Sequence, residues 1–513
     1  MGTSAQLTPT NKKLWMNRHN TFSQKVDNLF EIANGNTGDL VTDYNATTDA
    51  IREIIRKAIQ QKKRVRALGG GWSFSKVAAT DGWLLDTKQL NFIFEVNAPS
   101  VSVQYTGNKN QLLFAQCGNS IQELNTYLRK NRKSLRTCGA SNGQTIVGAF
   151  STGTHGSAID AGSTPDFVVG MHIITGPDTH IWLEKASYPV AADAMVQRLK
   201  TKLVRNDDLF NAALVSFGSF GFIHGVMIET EEIYLLECYR ERIPINSSLE
   251  HMMETLDFTN AQLVPHGNER PFHFQIVVNQ YDMKGGAYAT LMYKRPFTTN
   301  YSPPVASIDK AGPGDDMPTV LGKLTDIFPF ITPLIVNQGI KRSFLTFSNV
   351  LGTLGEIFTN NDIRGKVVST AIGIPVSFAN EVNILLIELN KAHGPFSGIL
   401  SYRYVRKCPA TLGFAKFDFT CIVELDGVES VITRKFYELV WSELERRNIP
   451  YTFHWGKINN LDPVKMRKMY GASMDEWIEA RNELMHADAL EVFNNQVLAD
   501  YGLDEITSKP RPV

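Results

Sequence analysis

From Asp49 to Gln61 the run DAIREIIRKAIQQ spaces its isoleucines and alanines three and four residues apart, the pattern of a helix with one apolar stripe. The RVRALGG that follows reads as a strand running into glycines, giving a helix, strand and glycine-loop unit. Short apolar segments separated by turn residues come next, GWLLDT, FIFEV, VSVQYTG and LLFAQCG, each predicted as a strand, and IQELNTYLRKN predicts a second amphipathic helix. Strands and helices mixed in this order predict an α+β fold. Between Gly139 and Gly170 the chain is dense in Gly, Ser and Thr, yet too apolar for a disordered linker, so backbone is expected to wrap a ligand there. Beyond Glu231 the character changes to the strands FHFQIVVNQY and TLMYKR, a Pro- and Gly-rich stretch from Tyr301 to Met317, and longer apolar helices up to Leu389. IPYTFHWGK returns to a strand, and a helical region runs on from Lys465. The expected division is a first lobe over 1–232, a second over 233–448, and a segment over 449–513 that returns to the first.

The length supports two lobes, because 513 residues exceed the ~250–300 at which a single core stops growing. Apolar residues make up 43%, charged residues 20%, and the net charge is +0, so no overall field draws in nucleic acid and no such partner is expected. MGTSAQLTPTNKKLW lacks the apolar stretch of a signal peptide and carries Gln6 where myristoylation wants Ser or Thr, which predicts a cytoplasmic protein. Cys117, Cys138, Cys238, Cys408 and Cys421 are scattered without a C-x-x-C pair, as reduced buried thiols would be; no metal site is expected. No apolar run reaches the ~18–20 residues of a membrane span, and the nearest, Ile327 to Val336, is broken by Pro329 and Pro333.

Two segments carry the candidate chemistry. In Gly69-Gly70-Gly71-Trp72-Ser73-Phe74-Ser75 three glycines let backbone amides converge and two hydroxyls add donors, a nest suited to pyrophosphate, although a glycine triplet after a strand is also an ordinary tight turn. The second runs from Gly139 and Ala140 through Thr145 and Gly148 to Ser151-Thr152-Gly153-Thr154-His155-Gly156, where small residues permit close approach to a flat anionic ligand.

These motifs resemble those of the vanillyl-alcohol oxidase and para-cresol methylhydroxylase flavoproteins, and within them the aldonolactone and alditol oxidases. The glycine loop with Ala78-Ala79-Thr80-Asp81-Gly82 looks like their pyrophosphate loop, and Ser151 to Gly156 like their flavin-cradling S-T-G-T-H-G. Ser216-Phe217-Gly218-Ser219-Phe220-Gly221-Phe222-Ile223 resembles the segment on the adenine side, and His454-Trp455-Gly456-Lys457 resembles the family's H-W-G-K. Asp488, Phe493 and Asn495 fit the terminal D-P-x-x-x-F-x-N pattern, with Ala489 in place of proline. The likeness covers Val41 to Glu232 and Ile449 to Asn495. It implies a two-lobe FAD-binding fold of the vanillyl-alcohol oxidase type, with a cap domain on a mixed or antiparallel sheet.

Trp72 stands where many members carry the histidine that bonds covalently to flavin, so the resemblance implies non-covalent FAD; Cys138 is offset from the cysteinyl position. Lys457 is the expected cation against the charge left by hydride transfer. His454 is expected to position substrate or flavin, or to be structural, and His155 to orient a turn. Arg403 falls where alditol oxidases carry a Glu-x-Arg pair, but Ser401 replaces the acid and Ala140 a substrate-contacting serine, implying a less polar pocket with its base unassigned. Gly139 falls beside the flavin carbon that oxygen attacks, where small residues accompany oxidases; alternatively it permits a turn. The resulting expectation is an FAD-dependent oxidase taking hydride from a CH–OH carbon of an alcohol, sugar or lactone and giving hydrogen peroxide from oxygen. The alternatives are a dehydrogenase with an electron carrier and a flavin-binding scaffold without turnover.

Overall fold

A computed structural model describes residues 5–259, 264–304, 317–359 and 366–507. Most of the Pro- and Gly-rich stretch after Tyr301 lies outside them. The architecture is α+β, carried by three main sheets. A four-stranded sheet orders Gln6–Pro9, Asn28–Ala33, Trp83–Gln89 and Val65–Leu68, with the last three parallel. A six-stranded sheet centred on Val168–Ile174 and Phe222–Glu229 stands beside it, antiparallel except for one edge pair. The third is an eight-stranded antiparallel sheet running from Phe347–Gly352 at one edge to Thr452–Phe453 at the other. Its middle strands are His273–Val278, Gly398–Arg406 and Phe419–Val428.

The helix expected from Asp49 begins nine residues earlier and spans Leu40–Gln60, with Asp39 capping Val41 and Thr42 amides. Its first half escapes hydropathy because it is buried yet polar: Tyr44, Thr47 and Thr48 face the interior. There Tyr44 Oη meets His172 Nδ1 at 2.7 Å, and Thr48 Oγ1 meets His224 Nδ1 at 3.0 Å. Ile121–Lys130 forms as expected, held by a capping box between Ser120 and Glu123. VSVQYTG, in contrast, is no strand. Val101 makes one isolated bridge to Ala191, a 3₁₀ turn with Pro99 precedes it, and Val103 is 94% exposed, so the alternation there has no sheet to serve. The strand in IPYTFHWGK shrinks to Thr452–Phe453, after which the chain turns inward as a loop.

Long-range bonds join the sheets. Ile159 N donates to Phe272 O and Arg406 N to Ile159 O, so the segment after Gly156 is strapped onto the eight-stranded sheet. Asn495 Nδ2 donates to Val77 O and Ala79 O, both at 3.0 Å, and Trp477 Nε1 to Val215 O, which returns the C-terminal helices to the first glycine loop. All five cysteines are buried and none forms a disulfide. Among the described residues no helix is long and apolar enough to cross a membrane, and no His, Cys, Asp or Glu cluster could hold a metal.

Candidate active site

A cavity of about 630 Å³ runs between the glycine loops and the eight-stranded sheet. Of the candidate site residues Gly69 to Ser75, Gly139, Ala140, Thr145, Gly148, Thr152 to His155, Ile223, Arg403, His454 and Lys457, all but Ser75 and Gly153 line it. Those two act one step back. Ser75 Oγ donates to Trp455 O at 2.5 Å, and Gly153, at φ +71°, passes so close to Phe414 that a Cβ would lie 3.1 Å from its ring.

The glycine loop forms one wall. Phe74 N donates to Gly456 O at 2.7 Å, so the first motif and H-W-G-K are held together through backbone. A Cβ on Gly70 would lie 2.4 Å from Gly143 O, and one on Gly69 would lie 2.2 Å from Thr145 Oγ1. The two glycine-rich loops therefore touch, as the walls of a narrow cradle must. Trp72 is buried with its Nε1 unpaired among the described residues, and Arg18 lies over its ring at 4.9 Å. Indole offers no nucleophile for a flavin bond. Cys138 does not line the cavity; Cys117 does, with its thiol pushed up by burial.

Arg66 was not foreseen as a site residue. It is fully buried, and its Nη1 donates to Phe217 O at 2.8 Å and Gly218 O at 2.7 Å, while Nε and Nη2 have no partner among the described residues. Burial, then the nearby Arg481, lowers it to about 9. A buried cation with two unused donors facing a cavity wants an anion, and a phosphate oxygen of FAD fits that want. The sequence signal was present: an arginine inside the strand Val65–Leu68, otherwise buried and apolar.

At the other wall the expected loss of polarity is corrected. Ser401 is buried, with its Oγ accepting from Gln275 Nε2, but directly across the sheet from it stands Glu424. Arg403 Nε lies 2.9 Å from Glu424 Oε2, and Lys457 Nζ lies 4.0 Å from Glu424 Oε1 and 3.9 Å from Asp426 Oδ1. The acid missing at position 401 is supplied by the neighbouring strand, on the face that lines the cavity. Glu424 and Asp426, two residues apart on the buried strand Phe419–Val428, were legible as charges that a core strand does not carry without a use.

Lys457 is fixed by donating to Ser369 Oγ at 2.9 Å and by the Phe74 ring at 5.2 Å. His454 Nδ1 accepts from Gly456 N at 2.9 Å, which leaves the proton on Nε2. His155 Nδ1 donates to Gly156 O at 2.9 Å, leaving a lone pair on Nε2, 4.0 Å from Glu424 Oε1. Burial, then Arg403, lowers His155 to about 3, and burial, then His155, puts His454 well below its usual range. Burial raises Asp426, opposed by Lys457. The site thus presents two neutral imidazoles of fixed tautomer beside a paired carboxylate and two cations.

Residues 41–183 match the family described as FAD binding domain. The chain is similar to D-arabinono-1,4-lactone oxidase of Debaryomyces hansenii, 28% identical over 208 residues, 40% of this chain and 34% of the relative. It is also similar to L-gulono-1,4-lactone dehydrogenase of Mycobacterium tuberculosis, 26% identical over 45% of this chain and 44% of the relative. The chain therefore spans less than half the length of these curated relatives. Cholesterol oxidase from Brevibacterium sterolicum shares the fold at a TM-score of 0.66, 15% identity and 97% coverage of both chains.

Proposed function

We propose that the protein is an FAD-dependent oxidase that removes hydride from a CH–OH carbon and passes the electrons to oxygen, giving hydrogen peroxide. The observation that carries this reading is the convergence of Glu424, Arg403 and Lys457 on the cavity that the glycine cradle also lines. When bound, FAD supplies the hydride acceptor. Glu424 takes the hydroxyl proton as the C–H pair leaves as hydride, and the product is a carbonyl. Arg403 orients the alcohol oxygen, and Lys457 offsets negative charge on the acceptor side. Neutral His454 donates from Nε2 without competing for that proton. The same charged cluster supports turnover over a scaffold role.

Trp72 supports non-covalent FAD: acid precipitation is expected to leave a colourless pellet and a yellow supernatant, and a yellow pellet would refute it. Cavity walls from Ile335, Val336, Ile340 and Val428 favour an amphipathic alcohol with an apolar body, while the lactone-oxidising relatives favour a lactone. Gly139 supports oxygen as acceptor, since a Cβ there would already lie 3.0 Å from Thr154 Cγ2 and 3.2 Å from His155 O, leaving no room for a bulkier residue. The dehydrogenase relative favours a carrier instead. We place the protein in the cytoplasm and divide it into an FAD-binding domain over 1–232, a cap over 233–448 and a returning segment over 449–513.

Stopped-flow measurement separates these readings. Reduced protein is expected to reoxidise in aerated buffer within seconds and form peroxide; persistence for minutes, with immediate reoxidation by a dye, would establish the dehydrogenase. Glu424→Gln is expected to keep FAD and slow reduction by substrate on the order of 100-fold or more. Unchanged reduction would remove Glu424 from the proton path.

A further inference from the structure

Among the described residues, twelve large apolar side chains are strongly exposed, and five of them, Ile327, Phe328, Phe330, Leu334 and Leu345, fall between positions 327 and 345. They sit on a helical hairpin: the helix Met317–Ile327, a turn at Pro329–Ile331, and the helix Thr332–Ser343. Phe330 is 78% exposed and Leu334 63%, at the tip and on the outer face. The inner face of the same hairpin, through Val336, Ile340 and Phe344, lines the cavity.

The exposed charge on this hairpin is mostly positive. Lys323, Lys341 and Arg342 are exposed. Asp326 is the one acid between 321 and 346, and its carboxylate is turned away to accept from Val431 N at 3.0 Å and Ile432 N at 3.2 Å, at the start of the helix Val431–Arg446. Apolar side chains at the tip with cations behind them match a bilayer interface, whose acyl boundary takes the first and whose phosphates take the second. A two-fold pairing of two copies through this face would instead set cations against cations.

We propose that this hairpin docks the protein peripherally on an anionic lipid bilayer. Its inner face then opens the cavity toward the lipid, so that an apolar alcohol passes from bilayer to cavity without crossing water. The route rests on the amphipathic-alcohol reading of the site, whereas the docking itself does not.

Docking is tested without substrate, by sedimenting the full FAD-loaded chain with vesicles of phosphatidylcholine alone and of phosphatidylcholine mixed equally with phosphatidylglycerol. The expected result is binding to the mixed vesicles about 100-fold tighter than to neutral ones, from three cations near the surface, and release by salt. The double variant Phe330→Asp, Leu334→Asp changes exposed positions only. It is expected to keep its flavin and melting temperature and to lose vesicle binding. A wild-type protein that stays in the supernatant with the mixed vesicles overturns the proposal, as does a double variant that pellets as well as wild type. Light scattering supplies the third outcome: a wild-type dimer that the double variant converts to monomer would make the face a contact between copies, and would also overturn it.

Discussion

Gly70 and Gly71 are neighbours in one loop with different physical reasons to be glycine. At Gly70 the backbone conformation is ordinary, but a Cβ would lie 2.4 Å from Gly143 O and 2.7 Å from the Trp72 ring, so any side chain must part the two walls of the cradle. At Gly71 the space is open, with Trp15 at 3.8 Å, and the demand is the left-handed φ of +69°. A methyl there costs about 1–2 kcal/mol of strain and blocks nothing. Gly70→Ala is therefore expected to be purified largely without FAD, and Gly71→Ala to keep it with a lower melting temperature. The flavin-to-protein absorbance ratio after gel filtration decides this; equal loss of flavin in both would mean that conformation, not wall spacing, controls the cradle. Arg66 is a third kind of constraint in the same segment, since its two unpaired donors make an anion necessary rather than merely permitted.

Single elements explain what the sequence made legible and what it hid. The amphipathic helix Ile121–Lys130 and the glycine loops were readable because their signals are local: an apolar stripe, a capping box, a run of small residues. The first half of Leu40–Gln60 was hidden because its buried face is polar, satisfied by Asn34 just before the helix and by His172 and His224 from distant parts of the chain. VSVQYTG misled for the opposite reason, since alternation is only a strand signal when a neighbouring strand exists to pair with it. The candidate site divides in the same way. Lys457, His454 and Arg403 came from motifs, while Glu424, readable in sequence only as a charge in a core strand, could be placed opposite Ser401 only once the register of two antiparallel strands was known, because it is twenty-three positions away in sequence and one ladder step away in space.

Across the whole molecule the histidines set a common limit. His19, His155, His224 and His273 are each lowered to about 3, with burial the largest cause, and burial puts His172 and His454 well below the usual range. In the unfolded chain each titrates near 6.5. Between roughly pH 3 and 6.5 the unfolded chain therefore binds protons that the native state refuses, and stability rises with pH through that window. The contribution is fully present above about 6.5 and is lost as the pH falls, at about 1.4 kcal/mol per pH unit for each histidine. Asp166 and Asp426, both raised by burial, work in the other direction, but they are two groups against these six. All six shifts have the same sign, so their effects on stability add as the pH falls below 6.5. The melting temperature is expected to fall steeply from pH 6.5 to 5, well before ordinary carboxylates titrate. His224→Gln, which keeps a polar group between Thr48 and Gln116, is expected to flatten that slope by about one proton. A melting temperature constant from pH 7 to 5 would mean that these imidazoles charge in place without disturbing the fold.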